Sequence, residues 1–330
     1  MVDNIRVRNF KSLRDLTIRD CRRVNLLVGR PNVGKSNILE ALALFSVPYL
    51  NTVKNPSIQT LVRLVHLPEL FFDGNTSDAI EVVIDDSFRL ILERTPNEEL
   101  SVRFMKDDIL QDEFLFNRDL TLNPILNPFL AGDSKSVGLL SYRYIPNIGH
   151  SSYGVSQLLP PAGVNLMEAL KQLPVLKDEA NRLVESYGLK LVFDNASQEL
   201  KAMKERSDEI FLIPFTSLAD SLQRLLFYKA AILSNHGNTI CLEEPETHTF
   251  PPFISSVVQD IIGSEDNQFF VSTHSPYVVN ALIETLNDDL AIYFVKMTNG
   301  VTEINRATDE EIQEMYDNGV DIFFNMESYL

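Results

Sequence analysis

The sequence predicts an α/β fold in which a largely parallel core sheet is combined with an N-terminal antiparallel β subdomain and a helical or irregular insertion. Two observations support this prediction. Between residues 216 and 295, helical patterns alternate with short apolar strands, which is typical of a parallel sheet covered on both faces. Near the N-terminus, strands of alternating polarity follow one another across turn residues, which is typical of antiparallel pairing.

The N-terminal third predicts a hairpin, a buried strand, a helix and an antiparallel meander. The hairpin pairs residues 5–10 with residues 16–18, because both segments alternate in polarity. The apolar run Val24–Val28 predicts a buried strand, and an amphipathic helix follows it to about Leu44. We expect a further helix near 58–65, and strands separated by Asp-Asp and Pro-Asn turn signals at residues 79–84, 88–94 and 100–104.

The remainder of the chain is less regular at first and then becomes clean α/β. Residues 106–138 are polar and predict no regular element, whereas 141–145 predicts a strand and Pro174 divides a helical region over 165–187. Further strands are expected at 189–193, 209–215, 239–242, 268–272 and 291–295, and helices at 217–233, 251–262 and 276–286. We expect a single domain over residues 1–330, with an N-lobe 1–105, an insertion lobe of about 106–208 and a C-lobe 209–330.

Composition and charge restrict the functional classes. The chain has 330 residues, of which 45% are hydrophobic, so it can bury a sizeable core. A net charge of −17 argues against general coating of nucleic acid or of anionic membranes. The first forty residues are basic and residues 284–330 are acidic. A local basic patch therefore stays open beside the simpler interpretation of a solvated hairpin.

The cysteines and the absence of apolar leaders indicate a cellular compartment. Cys21 and Cys241 provide neither a disulfide framework nor a metal cluster, which suits a reducing cytoplasm. No charged and apolar leader opens the sequence, and no run of about 18 apolar residues occurs in it. We therefore expect a cytoplasmic protein with no membrane partner.

Residues 29–36, GRPNVGKS, satisfy the phosphate-binding P-loop pattern G-x-x-x-x-G-K-[ST] between a predicted strand and a predicted helix. The backbone N–H groups of such a loop cradle a polyphosphate. Lys35 supplies a positive charge for the β- and γ-phosphates, and the Ser36 hydroxyl supplies a ligand for Mg²⁺. The chain is thus expected to bind a nucleoside triphosphate through Gly29, Asn32, Val33, Gly34, Lys35, Ser36 and Asn37.

Two consecutive acids follow the strand predicted at 239–242. A buried parallel strand delivers such side chains to the carboxyl edge of the sheet, where ligands of α/β folds bind. Glu243 is expected to hold Mg²⁺ directly or through water, so Ser36 and Glu243 are the predicted metal ligands. Glu244 is expected to polarise the attacking water, which contributes roughly 10²–10⁴-fold in rate. Without the P-loop, the two acids would indicate only a solvated strand end.

The next predicted strand repeats this design with a histidine. It ends in Thr273-His274-Ser275, and Pro276 suits the first turn of the following helix. Alone, His274 would be a bystander at a helix start. Beside a P-loop and an acidic strand end, it is predicted to contact the γ-phosphate and to sense the state of the nucleotide.

A fourth polar segment begins the helix predicted at 217–233. Its N–H groups could meet a phosphate held by a second subunit. The predicted residues of this in-trans site are Ser217, Asp220, Ser221 and Gln223. An ordinary helix start with Asp220 or Ser217 as the N-cap explains the same residues equally well.

These motifs resemble the ABC-type ATPases of the SMC/RecF/OLD group, in particular the compact OLD-like ATP-binding proteins. The segments that carry the resemblance cover roughly half of the chain and occur in the expected order. They are IRVRNFKSL at 5–13, the P-loop at 29–36, EEPETH at 243–248 and STHSP at 272–276, with a weaker match in LPPAGVNL at 159–166.

The resemblance implies ATP and Mg²⁺ as cofactors, with Glu244 and His274 as the catalytic residues. It also implies an ATP-dependent head-to-tail homodimer or higher oligomer, in which each P-loop faces the signature helix of the partner. The dimer would act as a switch or sensor for a separate effector, such as a nuclease, in bacterial anti-phage defence or a DNA-related system. A separate effector is expected because the C-terminal TOPRIM nuclease domain of many relatives is not expected here. DNA is an allowed but not a required partner.

Two departures from the family pattern leave other functions open. Ala219-Asp220-Ser221 lacks the glycine that the signature normally carries, and Glu243 replaces the commoner Asp. The subgroup tolerates Glu243, but the altered signature favours an ATP-binding scaffold that assembles a partner nuclease with little hydrolysis, which is the main alternative although Lys35, Ser36 and Glu244 are intact. A GTPase switch is a weaker one, because the sequence contains neither an N/T-K-x-D motif nor a D-x-x-G strand end.

Overall fold

The computed structural model describes residues 1–123, 138–148, 151, 153–206, 209–317 and 322–325. The chain divides into two compact units. Unit 1 comprises Met1–Ser141, Gly237–Glu244 and Glu265–Leu330, and unit 2 comprises Tyr142–His236 and Pro245–Ser264. These bounds differ from the expected lobes, because the first sheet continues past residue 105 and because two later segments complete the core sheet of unit 1.

The first sheet of unit 1 is an antiparallel sheet with the strand order β2-β1-β4-β5-β6-β7. Along its strands, buried apolar residues alternate with exposed polar ones, so that one face packs on the core. In this core the ring of Phe104 makes edge-to-face contacts with Phe45 and Phe114. The strands are β1 (Ile5–Phe10), β2 (Leu13–Ile18), β4 (Ile80–Ile84), β5 (Phe88–Arg94), β6 (Leu100–Lys106) and β7 (Ile109–Phe116).

The second sheet of unit 1 is the core sheet, with the strand order β15-β14-β3-β13-β12-β8. The four strands β14, β3, β13 and β12 are parallel, and β15 is antiparallel to β14. All five residues of β3 are buried, which is the environment that its mainly apolar sequence predicts. The strands are β3 (Val24–Val28), β8 (Leu139–Tyr142), β12 (Thr239–Glu243), β13 (Gln268–Ser272), β14 (Leu290–Thr298) and β15 (Val301–Arg306).

Four α-helices and several single 3-10 segments belong to the described part of unit 1. The helices are α1 (Lys35–Ala43), α6 (Pro276–Leu286), α7 (Asp309–Asp317) and α8 (Ile322–Asn325). The 3-10 segments are Leu44–Thr52, Ile58–Thr60, Leu67–Leu70, Phe72–Gly74 and Asn287–Asp289. Among the helices of the described residues, none has both the length and the apolar character needed to cross a membrane.

Unit 2 combines four helices with a three-stranded antiparallel sheet of strand order β11-β10-β9. Its helices are α2 (Leu166–Gln172), α3 (Pro174–Glu185), α4 (Asp220–Leu233) and α5 (Pro251–Gly263), and Phe215–Ser217 forms a 3-10 turn. The sheet consists of β9 (Lys190–Asp194), β10 (Glu199–Arg206) and β11 (Glu209–Pro214). Pro174 begins α3, as its position in the sequence predicts.

The predicted α/β fold, with an antiparallel N-terminal sheet and a largely parallel core sheet, is confirmed. The helix predicted near 58–65 is wrong, because only one 3-10 turn forms there. After that turn the backbone of Arg63 bonds to side chains: its N–H donates to Glu40 and its carbonyl accepts from Lys11. Tertiary hydrogen bonds thus replace the helical ones.

Three strands were not predicted, and all three lie at or next to a sheet edge. β7 falls in the polar region that predicted no element, and β10 and β15 carry polar outward residues. Hydrogen bonds hold each strand in place: β7 pairs with β6, β10 pairs with β9 and β11, and β15 pairs with β14. Pairing with neighbours, rather than an apolar run of their own, therefore makes these segments strands.

A buried lysine ties three helices of unit 2 together. Lys229 on α4 is 1% exposed, and its Nζ lies 3.0 Å from Glu179 Oε1 on α3. On α5 the same ammonium group contacts Asp260 Oδ2 at 2.5 Å and Ser256 Oγ at 3.0 Å. Burial raises the pKa of Asp260, while the Lys229 charge opposes this shift.

Replacement of Lys229 by Met should destabilise unit 2 by about 3 kcal/mol, because removing one partner leaves two carboxylates that are largely buried without their cation. Urea denaturation of the full chain measures this loss. The matched control is Lys190→Met, which removes an exposed pair with Glu205 and should cost less than about 1 kcal/mol. Equal losses in the two variants would contradict a stabilising role for the buried cluster.

Candidate nucleotide-binding site

The candidate site begins where β3 ends, at the carboxyl edge of the core sheet. β3 lies between β14 and β13, and the register places Leu27 beside Tyr293 on one side and Ser272 on the other. The chain then runs through the P-loop, and α1 begins at Lys35. The centre of a parallel sheet therefore positions the loop where ligands of α/β folds bind.

Close packing, as well as phosphate geometry, requires the two glycines of the loop. A Cβ on Gly29 would lie 2.4 Å from the carbonyl oxygen of Val295, and one on Gly34 would lie 2.0 Å from Thr302 Oγ1. Gly34 also has a φ of +102°, which side chains rarely adopt. The loop is thus pressed against β14 and β15, a contact that sequence reasoning missed.

A network of hydroxyl and amide groups holds the P-loop in this position. Asn37 Nδ2 donates to Ser12 Oγ at 2.7 Å, and Ser12 Oγ lies 2.6 Å from Thr302 Oγ1. Thr302 Oγ1 in turn donates to the carbonyl oxygen of Val33 at 2.9 Å. Asn37, predicted to bind nucleotide, thus directs its side chain to the turn between β1 and β2, while Val33 contributes its carbonyl to the same network.

Lys35 and the start of α1 place donors and positive charge at the mouth of the loop. Lys35 is 4% exposed, and its Nζ donates to the carbonyl oxygens of Gly29 and Arg30 at 2.8 and 2.9 Å. The first helical hydrogen bond joins the N–H of Ile38 to Gly34, so the N–H groups of residues 35–37 precede the helical ladder. Gly34 caps the helix without a side chain, and Asn32 adopts a φ of +62°. Such a helix start favours an anion.

Glu244 is held in a strained backbone conformation at the end of β12. Its φ is +41°, which is rare for a residue with a side chain. The N–H of Glu244 donates to the carbonyl oxygen of Ser272, the last residue of β13, at 3.0 Å. This bond holds the backbone where it changes from the extended conformation of Glu243, the last residue of β12, to the positive φ of Glu244.

The structure brings Glu244 and His274 together. His274 Nε2 lies 3.3 Å from Glu244 Oε1. Burial and the charge of Lys35 lower the pKa of His274, and the charge of Glu244 opposes this shift. The imidazole is therefore neutral at neutral pH, and Lys35, Glu244 and His274 form one electrostatic group. The ring centroid of Phe323 on α8 lies 6.4 Å from that of His274, and no sequence motif identifies this neighbour.

Glu243 contacts the guanidinium group of Arg63. Among the described residues, no group of three or more His, Cys, Asp or Glu side chains could hold a metal ion. The predicted pair of Ser36 and Glu243 nevertheless fits Mg²⁺, because proteins usually hold this ion through one or two carboxylates together with substrate phosphates and water. Arg63 was missed, and its position within the apolar run LVRLV is the signal that could have found it.

The predicted in-trans residues lie at the start of α4 in unit 2. Ala219 occupies the N-cap position without a side-chain hydrogen bond, so the interpretation of Asp220 or Ser217 as the cap is wrong. Asp220 instead accepts from Arg224 Nε at 2.7 Å. Gln223 is buried, accepts a hydrogen bond from the Tyr144 hydroxyl, and donates to the carbonyl oxygens of Leu218 and Thr216. Ser217 ends the preceding 3-10 turn, and Ser221 lies in the first turn of α4.

Comparison with known proteins gives a family and a fold. Residues 1–230 match the family described as AAA ATPase domain. A protein named ATP/GTP phosphatase from Helicobacter pylori is 20% identical over 337 residues, which cover 87% of this chain and 89% of that protein. A crystal structure of the SmcHead bound to the C-winged helix domain of ScpA is similar with a TM-score of 0.52 and 14% identity, over 95% of this chain and 99% of that chain. This last similarity shows a shared fold.

Replacement of Gly34 by Ala should destabilise the protein more than replacement of Gly300 by Ala. Both glycines have positive φ values, +102° and +79°, so both variants lose about 1–2 kcal/mol in backbone strain. Only at Gly34 would the new Cβ also press on Thr302 and Ser12, which adds about 1–3 kcal/mol. Urea denaturation measures both losses, and equal values would show that the loop is not packed against β15.

The strain at Glu244 can be measured by comparing Ala with Gly at two neighbouring positions. At residue 244 the Gly variant should be more stable than the Ala variant by about 1 kcal/mol, because Gly adopts positive φ without strain. At residue 243, in the extended conformation of β12, Gly should instead be less stable than Ala by about 0.5–1 kcal/mol. Thermal unfolding of the four variants measures these differences. If Gly and Ala rank in the same order at both positions, the backbone of Glu244 is not strained.

Proposed function

The chain belongs to the AAA ATPase domain family and is an ATPase, and we propose that it hydrolyses ATP at the carboxyl edge of its core sheet. The observation that carries this proposal is the pairing of Glu244 with His274 next to the charge of Lys35. A carboxylate, a neutral imidazole and an ammonium group beside a P-loop are the components that phosphoryl transfer to water uses.

Binding of the triphosphate is assigned to the P-loop. The N–H groups at the start of α1 would accept the phosphates, and Lys35 would exchange its bonds with the carbonyls of Gly29 and Arg30 for bonds with phosphate oxygens. Ser36 and Glu243 would hold Mg²⁺. When bound, this ion neutralises charge on the β- and γ-phosphates.

Hydrolysis is assigned to Glu244. Its carboxylate would accept a proton from the attacking water, since the left-handed turn at the strand end directs it toward His274 rather than along β12. His274 would hold this carboxylate by a hydrogen bond from Nε2 and contact the γ-phosphate. A neutral imidazole has a single N–H, so this donor would bond to either Glu244 or a γ-phosphate oxygen at one time, and it adds no second cation beside Lys35.

We further propose that ATP closes a homodimer in which Ser217, Asp220, Ser221 and Gln223 of one copy face the P-loop of the other. Hydrolysis would reopen the dimer and so switch a separate effector, such as a nuclease, in anti-phage defence or a DNA-related system. The sequence motifs shared with SMC/RecF/OLD proteins support this assembly. Within the in-trans segment, Ser221 has the best position for a phosphate, because Gln223 is committed to Tyr144 and Leu218.

An ATP-binding scaffold with little hydrolysis is the second candidate. The absence of a glycine at 219–221 favours it, because a side chain there hinders the close approach of a backbone to phosphate. The positioned Glu244–His274 pair favours hydrolysis. The relative named ATP/GTP phosphatase makes GTP a substrate to be measured beside ATP.

Replacement of Glu244 by Gln should lower ATP turnover by about 10²–10³-fold while ATP still binds, because one preorganised catalytic group is lost. Lys35→Ala should instead abolish binding. Phosphate release measures turnover, a fluorescent ATP analogue measures binding, and light scattering with ATP should detect a trapped Glu244→Gln dimer.

The matched control is Glu265→Gln, which changes an exposed acid outside the site and should leave all three values unchanged. Wild-type turnover in Glu244→Gln would disprove its role as the base. Negligible turnover in the unmodified protein, together with intact ATP binding and dimer formation, would favour the scaffold.

A further inference from the structure

Four charged side chains of unit 1 form a continuous chain that ends at the acidic end of β12. Lys11, in the turn between β1 and β2, pairs with Glu40 on α1. Glu40 Oε1 lies 3.6 Å from Arg63 Nε, and Arg63 Nη2 donates to Glu243 Oε2. Lys11, Glu40 and Arg63 have no role in the nucleotide binding or the hydrolysis proposed above.

The backbone of Arg63 is clamped in place by the first two members of this chain. Its N–H donates to Glu40 Oε1 at 3.2 Å, and its carbonyl oxygen accepts from Lys11 Nζ at 2.6 Å. The side chains of Lys11 and Glu40 are 12% and 6% exposed, so the two groups that hold the backbone of Arg63 are themselves largely buried. The side chain of Arg63 is 49% exposed and can move while its backbone stays fixed. A fixed backbone with a mobile side chain allows the guanidinium group of Arg63 to move its hydrogen bonds from one carboxylate to another.

The two acceptors are both present. Arg63 contacts Glu243 directly, and Glu40 lies within 4 Å of its Nε. A guanidinium group stays protonated in proteins, so its contact with Glu243 is an ion pair. The acids at the end of β12 therefore hold a guanidinium cation in this structure.

We propose that Arg63 is a positioning residue that occupies Glu243 until magnesium and nucleotide bind, and that it then transfers to Glu40. This inference rests on the proposed role of Glu243 as a magnesium ligand. A guanidinium group and a divalent cation repel each other, so they compete for the same carboxylate. Glu40 follows Ser36 by four residues on α1 and thus lies on the same helix face, one turn farther from the P-loop.

The exchange has two measurable consequences. Removal of Arg63 should lower the Mg²⁺ concentration needed for half-maximal nucleotide binding, because the competing cation is gone. It should also weaken nucleotide binding in the absence of Mg²⁺, because Glu243 and Glu244 then repel the phosphates without a counter-charge. A single half-exposed ion pair corresponds to a shift of about two- to fivefold.

The experiment is a Mg²⁺ titration of mant-AMPPNP binding to the full chain, which requires no turnover. Arg63→Ala should lower the Mg²⁺ midpoint by about two- to fivefold, and Arg63→Lys, which keeps the charge, should give a smaller shift. Arg89→Ala is the matched control, because Arg89 is 40% exposed and pairs with Asp108 outside the site. Its midpoint should equal that of the wild type. Thermal unfolding shows that each variant is folded.

A double variant separates this inference from the function on which it rests. In the background of Glu243→Gln, Arg63→Ala should no longer shift the Mg²⁺ midpoint, since the contested carboxylate is absent. An unchanged or raised midpoint in both folded Arg63 variants would overturn the exchange, as would a shift that persists in this background. If Glu243→Gln alone leaves the midpoint unchanged, the assignment of Glu243 as a magnesium ligand fails first.

Discussion

The parallel register of β3, β13 and β12 is the constraint on which the candidate site depends. Glu243 pairs with Ser272, and Ser272 pairs with Leu27, so the three strands end at the same level. Residues that follow these positions along the chain therefore meet at one edge of the sheet. A shift of one strand by one residue would turn its side chains to the opposite face and separate Glu244 from His274.

The P-loop is fixed by contacts that are distant in the sequence. Ser12, from the first hairpin, and Thr302, from β15, join hydroxyl groups beneath the loop, and the loop approaches both too closely to carry a side chain at Gly34. The two ends of the chain thus hold the phosphate-binding loop between them. This arrangement explains why the hairpin motif NFKS and the P-loop occur together: Lys11 and Ser12 of that motif both contact α1.

The sequence predicted the fold class and most elements because their apolar periodicity is strong. The segments that follow β3, β12 and β13 were also predictable, since polar residues at the end of a buried strand indicate an exposed functional edge. Thr302 was not predictable in this way, and the local signal for Arg63 is only its charge within the apolar run 61–65. Their importance comes from tertiary contacts with residues 180 and 290 positions away, and periodicity carries no information on such contacts. Glu40 offered a further local signal, because it is an acid among the apolar residues 38, 39, 41 and 42 of α1.

Two neighbouring acids acquire different environments through one change of backbone conformation. Glu243 is extended within β12 and meets a guanidinium group, whereas Glu244 has a positive φ and meets an imidazole. In a continuing strand, consecutive side chains would point to opposite faces of the sheet. The left-handed residue breaks this alternation and keeps both carboxylates at the edge, where their partners differ in charge. A cationic partner competes with a metal ion for its carboxylate, while a neutral one does not. The strained backbone at Glu244 therefore suits the proposed division of roles, in which Glu243 binds the metal ion and Glu244 accepts the proton.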